Sequence, residues 1–193
     1  MKTIIILFII LFNLQSFAKA DDISDFEIEG MSLGDSSLRY VDKEFIEKEK
    51  YNYPGNNNLF TIFNIDKWNS PSFNFEIYDG VHINYKTNDK KYIIHSLRAK
   101  IYFENIQECY LLKKDIILKL EDSLTVIKKY GGKTKHWADE SGKSKIDSTF
   151  LDVKGGRAAV QCYDWSKESK NWDNLSVSIG TSEYAEWLDS RSN

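Results

Sequence analysis

Only three histidines, two cysteines and two prolines occur in the 193 residues of this chain. The histidines, His82, His95 and His136, lie far apart and form neither H-E-x-x-H nor an i, i+4 pair, so the usual helical metal-hydrolase signatures are excluded. Two cysteines are too few for a disulfide-dense scaffold, and without a C-x-x-C they make neither a zinc ribbon nor a thiol redox motif. Gly142-Lys143-Ser144 resembles the end of a phosphate loop, but Trp137 stands where the first glycine is required. Arginine is scarce, 4 against 22 lysines, and the lysines are interspersed with Asp, Glu and Asn. Nucleic acid is therefore not an expected partner, since phosphate binding needs a clustered basic surface. No apolar run after the first twenty residues is long enough to span a bilayer.

Residues 1–20 are a different matter. Lys2 precedes an unbroken apolar run from Ile4 to Phe12, and Ala18-Lys19-Ala20 is a small-x-small cleavage motif. These features read as a secretory signal peptide cut after Ala20. The alternative, a membrane anchor, is poorly served by nine apolar residues, which reach about 14 Å as a helix against a core of ~30 Å. Cleavage leaves residues 21–193 as one expected domain, with 24 basic against 29 acidic residues and a net charge of −5. The expected location is the periplasm.

An even cysteine pair in an exported chain reads first as a disulfide. Cys109 falls in the series Ile106, Cys109, Tyr110, Ile116, Ile117, Leu120, Leu124, Ile127, whose steps place it on the apolar face of a long helix. Cys162 alternates with Ala158 and Val160 on an expected strand. A Cys109–Cys162 bridge is expected, with two buried free thiols or a redox pair as alternatives.

Elsewhere the pattern is α+β. A helix is expected after the capping residues of Gly30-Met31-Ser32-Leu33-Gly34-Asp35, with Leu38, Val41, Phe45 and Ile46 inward. Phe73, Phe75 and Ile77, then Val81, Ile83 and Tyr85, alternate about Asp79-Gly80 and predict a type I′ hairpin. A long strand over 91–103 carries Ile93, His95, Leu97, Ala99, Ile101 and Phe103 on one side. The long helix spans 105–129 and ends at Gly131-Gly132, followed by a polar connection to about Asp147. Strands over 149–153 and 157–164 flank Lys154-Gly155-Gly156, a third runs through Leu175, Val177 and Ile179, and a short helix covers 182–189. The expected architecture is an antiparallel β-sheet with one long helix across it and a helical N-terminal segment.

The residues that invite chemistry are few. His95 reads as a hydrogen-bonded core histidine, and His136 has carboxylate neighbours, Asp139 and Glu140, but sits in a solvated loop. No catalytic group, cofactor or metal site is assigned. Tyr163, Trp165 and Trp172 bracket a polar loop, where they either form a stacking platform for a ligand or pack beneath the loop.

The opening of the mature chain, Asp21 to Ser36, resembles an uncharacterised family of exported proteins from AT-rich marine alphaproteobacteria. Glu108-Cys109, Gly142-Lys143-Ser144, Cys162-Tyr163 and Asn171-Trp172 fit the same pattern. The resemblance implies export and a two-cysteine domain and assigns no activity. Gly30 to Ser36 is also similar to the G-x-S-x-G-x-S stretch of the small outer-membrane assembly lipoproteins of the SmpA/OmlA type, which act as binding partners. This chain departs from them in length and in lacking a lipid-attachment cysteine.

Three function classes remain open. The first is a non-enzymatic envelope module that binds another protein. The second is a small-ligand or glycan binder using Tyr163, Trp165 and Trp172. The third is a hydrolase with an unrecognised carboxylate site, which requires an acid of raised pKa in a cleft.

Overall fold

A computed structural model describes residues 22–53, 58–70 and 73–191. The expected signal peptide, with Ala18 and Ala20, lies outside the described residues. Strands β3 (Tyr51–Asn52), β4 (Phe60–Asp66), β5 (Gly80–Lys86), β6 (Ile94–Phe103), β7 (Val126–Lys135), β8 (Lys145–Val153), β9 (Gly156–Asp164) and β10 (Asp173–Thr181) form one eight-stranded sheet. Its order is β3-β4-β5-β6-β10-β9-β8-β7, and every neighbouring pair is antiparallel. A small hairpin of β1 (Glu27–Ile28) and β2 (Met31–Ser32) precedes the sheet. The described residues also hold three α-helices: α1 (Lys43–Glu49), α2 (Ile106–Ser123) and α3 (Ser182–Ser190). The fold is α+β with an antiparallel sheet.

One face of the sheet is apolar because alternate residues point the same way along each strand. Leu97, Ala99 and Ile101 of β6 stand opposite Ile179, Val177 and Leu175 of β10, which in turn face Ala158, Val160 and Cys162 of β9. Helix α2 covers this face. Asn105 caps its start by accepting from the Gln107 N–H at 3.0 Å. Cys109, Lys113, Ile116 and Leu120 recur at steps of four, three and four and are its buried residues. Cys109 is bonded to Cys162, with Cα atoms 6.0 Å apart, and the ammonium of Lys113 reaches Asp147 at 2.7 Å.

Four sequence expectations need correcting. The helix expected over 105–129 stops at Ser123, and Thr125-Val126-Ile127 turns into β7 instead. Gly131 and Gly132 lie within that strand rather than at a helix C-cap; a Cβ on Gly131 would sit 2.2 Å from the Ser148 carbonyl oxygen, so β7 and β8 approach only because it has none. The Asp79-Gly80 hairpin does not form. Residues 73–79 are not a strand, because Glu29 accepts the N–H groups of Glu76, Ile77 and Tyr78 at 2.8–2.9 Å and so replaces a strand partner. Strand β5 begins at Gly80 and pairs with β4, which the sequence reading did not single out. The N-terminal segment is not helical throughout: Ser36 caps a 3₁₀ turn, Asp42 caps the seven-residue α1, and Leu38 is exposed while Ile46 is buried.

The fourth correction concerns His95. A β-bulge between Asn84 and Tyr85 turns it away from Leu97, so it leaves the α2 side and lies against Phe60, with Nδ1 3.4 Å from the Thr181 hydroxyl. On that second face α3 covers one end of the sheet. Tyr184 and Trp187 pack on Phe60, and Gly180 leaves the room they need. Arg157 ties α3 down, meeting both oxygens of Asp189 at 2.8 and 2.9 Å and Asp152 at 2.7 Å. No helix among the described residues is long and apolar enough to cross a membrane.

Candidate binding site

The α2-covered face takes the odd-numbered residues of β6 from Leu97 onward, so Ser96, Arg98, Lys100 and Tyr102 project from the other side. Register fixes their neighbours. His82, Arg98, Ser178 and Ala159 form one row across β5, β6, β10 and β9; Gly80, Lys100, Ser176 and Gln161 form the next; Tyr102, Asn174 and Tyr163 follow. Beyond the reach of α3, these rows floor a hollow of about 250 Å³ lined by Arg98, Lys100, His136, Trp137, Ile146, Tyr163, Trp165 and Asn174.

Two loops wall this hollow. The β7–β8 turn carries His136 and Trp137, and the β9–β10 loop begins with Trp165. The rings converge: His136 lies 4.2 Å from Trp165, 5.9 Å from Trp137 and 5.8 Å from Tyr163, and Trp165 stacks on Tyr163 at 6.3 Å. Asp139 staples the loops together. It accepts from the backbone and hydroxyl of Ser144 and from the Ser166 hydroxyl, while Ser166 donates its own N–H to Ser144 Oγ at 2.8 Å. The Ser144 hydroxyl first, then Ser141, hold the Asp139 carboxyl well below the usual carboxylate range. A Lys143–Glu168 ion pair joins the same loops.

His136 is buried, its Nδ1 accepts the Ala138 N–H at 3.1 Å, and burial lowers its pKa. Its ring is a neutral wall. Of the three aromatics singled out in the sequence, the structure brings Tyr163 and Trp165 together in this hollow. Trp172 stands apart, 65% exposed and outside the lining.

The floor is unusual in its charge. Arg98 and Lys100 are both half-buried, yet neither has an ion pair or a side-chain hydrogen bond among the described residues. The groups that bear electrostatically on Arg98 are the phenols Tyr163, Tyr184, Tyr53 and Tyr51. Burial, reinforced by Arg98, pushes Lys100 down to about 8, and the same pair together with burial pushes His82 down to about 2. Asp66 shares the Lys100 row two strands away, but its carboxylate is spent on the N–H groups of Trp68 and Asn69. Two buried polar atoms have no hydrogen-bond partner among the described residues: Asn174 Oδ1, on a residue that lines the hollow, and Ser176 Oγ, on the same face but outside the lining.

Sequence reasoning missed Arg98, Lys100, Asn174, His136 as a wall, and Trp137. The signal was present for the basic pair: one of only four arginines and a lysine occupy the polar positions of a strand long enough to be central. A second hollow, of about 260 Å³, is lined by Glu47, Lys50, Thr61, Thr87, Asp89 and Tyr92 among others. Its groups satisfy one another, through Lys50–Glu47, Tyr92–Glu47, Thr61–Thr87 and the Lys91 and Ile93 N–H groups on Asp89.

Among the described residues no group of three or more His, Cys, Asp or Glu converges to hold a metal ion. One carboxylate, Asp173, is shifted upward, by burial ahead of the nearby Asp164 and against the Trp165 N–H that it accepts at 2.7 Å. Its register with Phe103 puts it on the α2 side of the sheet, where it buttresses the aromatic loop rather than facing the hollow. No known protein-family model matches this chain, and neither a curated protein nor a solved structure matches it.

Proposed function

We propose that this chain is an exported, periplasmic binding protein that holds a small ligand in the hollow between the β7–β8 and β9–β10 loops. The observation that carries the reading is the conjunction of an aromatic wall, Trp165, Tyr163, His136 and Trp137, with floor groups, Arg98, Lys100 and Asn174 Oδ1, that have no side-chain partner among the described residues. Buried polar groups in a folded protein are normally paired, because an unmade hydrogen bond away from water costs ~1–3 kcal/mol. A hollow that leaves several unpaired while shielding them with rings is arranged for a guest that supplies the partners. The signal-peptide pattern and the disulfide support export, the compartment in which such a bridge persists.

The wall does not depend on chain folding for its position alone. Trp165 is held by the Asp173 carboxylate through its backbone N–H, so its side chain can be removed without removing the loop. Trp165→Ala should keep the fold and lose retained ligand. Non-reducing native mass spectrometry of protein isolated from its own envelope tests this. Mass above that of the bridged chain starting at Asp21, present in the native protein and missing in Trp165→Ala, is the expected result. A native protein of bare mass that also fails to take up any ligand from its own envelope extract refutes the reading.

A further inference from the structure

We propose that the hollow binds an acidic carbohydrate, with the carboxylate or sulfate of the sugar held by Arg98 and Lys100 and the sugar ring laid against Trp165 and Tyr163. This rests on the reading above, that the hollow is a ligand site, and names the class of ligand.

The argument begins with the two cations. Arg98 and Lys100 are alternate residues of one central strand, so their Cα atoms stand about 6.7 Å apart and their side chains leave the sheet in the same direction. Held together and withdrawn from water, two positive groups repel and lose hydration, and proteins ordinarily answer with a carboxylate. Here none pairs with them among the described residues, although acids outnumber bases in the chain. The acids nearest in register or loop position are engaged elsewhere: Asp66 with Trp68 and Asn69, Asp139 with Ser144 and Ser166, Asp173 with Trp165. The missing counter-charge fits a ligand oxyanion. A guanidinium offers a planar fork to two oxygens and an ammonium offers a point charge beside it, which suits a carboxylate or a sulfate equally.

The surroundings narrow the rest of the molecule. Gly80 and Ser176 flank Lys100 on β5 and β10, and neither places a bulky or charged side chain beside the ammonium. Asn174, which lines the hollow and is more than nine-tenths buried, has an Oδ1 without a partner among the described residues, and it calls for a hydroxyl-bearing guest rather than a plain aromatic acid. Trp165 and Tyr163 offer flat apolar surface to one face of a ring. At about 250 Å³ the hollow is below the size usual for drug-sized ligands, which fits one sugar unit, either free or at the end of a chain.

The test is calorimetric titration of the exported protein, produced from the full-length gene, with glucuronate, glucose 6-sulfate and glucose. At least one charged sugar should bind about tenfold or more tightly than glucose, the scale of one charge-assisted hydrogen bond in a shielded site. Arg98→Met and Lys100→Met should each lose that preference while Lys100→Arg retains it, and which charged sugar wins identifies the oxyanion. The Lys100 pair of variants carries the test should Arg98→Met not fold. Equal binding of glucose, or charged-sugar binding unchanged in the methionine variants, overturns the acidic-sugar assignment and leaves the ligand-site reading standing. Failure of all three sugars also overturns this assignment, and the retained mass on the native protein then decides the ligand-site reading separately.

Discussion

Lys100→Met should make the empty protein more stable, and the gain should shrink as the pH rises. In the folded chain burial and the neighbouring Arg98 bring the Lys100 pKa from 10.5 down to about 8. At 1.36 kcal/mol per unit, keeping the ammonium charged costs the fold about 3 kcal/mol at pH 7.5. Between pH 8 and 10.5 the unfolded chain binds the proton that the folded chain has released, so stability rises with pH through that window. At pH 9.5 the cost has fallen to about 1 kcal/mol, a gain of about 2 kcal/mol. The variant has no such cost and no such rise. It should be about 3 kcal/mol more stable than the native protein at pH 7.5 and only about 1 kcal/mol more stable at pH 9.5. Neighbouring groups do not blur the comparison. His82 titrates far below this range, Arg98 stays a cation, and the buried phenols of Tyr40 and Tyr85, raised to about 12 by burial first, act alike in both proteins. Urea unfolding followed by tryptophan fluorescence at the two pH values, with the disulfide intact, measures the differences. A variant less stable than the native protein at pH 7.5, or a stability gap independent of pH, refutes the view that Lys100 is an uncompensated buried charge.

Other parts of the fold give equally direct expectations. Replacing both Cys109 and Cys162 by alanine removes a bridge across 53 residues and should cost about 4 kcal/mol, from the chain entropy released to the unfolded state; a urea midpoint unchanged from the oxidised native protein would contradict the bridge's stabilising role. Glu29→Gln keeps the shape but leaves one accepting oxygen where there were two, so at least one of three charge-assisted hydrogen bonds to the backbone of residues 76–78 is lost and the rest lose their charge, for an expected loss of about 2 kcal/mol locally. Amide exchange at Ile77 and Tyr78 should then accelerate about thirtyfold, and unaltered exchange would show that the segment is held by something else.

The disulfide, the terminal helix and the strands that became β6, β9 and β10 were legible because each rests on a local period. Cys162 alternates with Val160 and Ala158, and Cys109 keeps helical spacing with Ile116 and Leu120, so both sulfurs were pointed at one core before any coordinates. The same reliance on period misplaced the helix end. Leu124 and Ile127 continue the helical spacing past Ser123, but β8 offers a full ladder of backbone partners to residues 126–135, and the edge strand forms instead. Its lysines, 128, 129, 133 and 135, then guard an edge that would otherwise invite pairing with another chain. The Asp79-Gly80 turn failed for a related reason. Its left arm alternates well enough to be a strand, yet a single distant carboxylate, Glu29, satisfies its N–H groups and frees β5 to pair with β4.

The site shows the same division more sharply. From the sequence alone follow the α+β class, the cysteine pair and the concentration of aromatic residues around 163–172, since composition and alternation are properties of adjacent residues. Whether Trp165 meets Tyr163, why Trp172 does not join them, and that His136 and Trp137 complete the wall depend on two loops brought together by the order of the strands. The basic floor depends on it too. Arg98 and Lys100 look like ordinary surface residues in a strand pattern, and only the tertiary structure shows that no acid among the described residues pairs with them, because a charge's partners are decided by distance through space and not by distance along the chain.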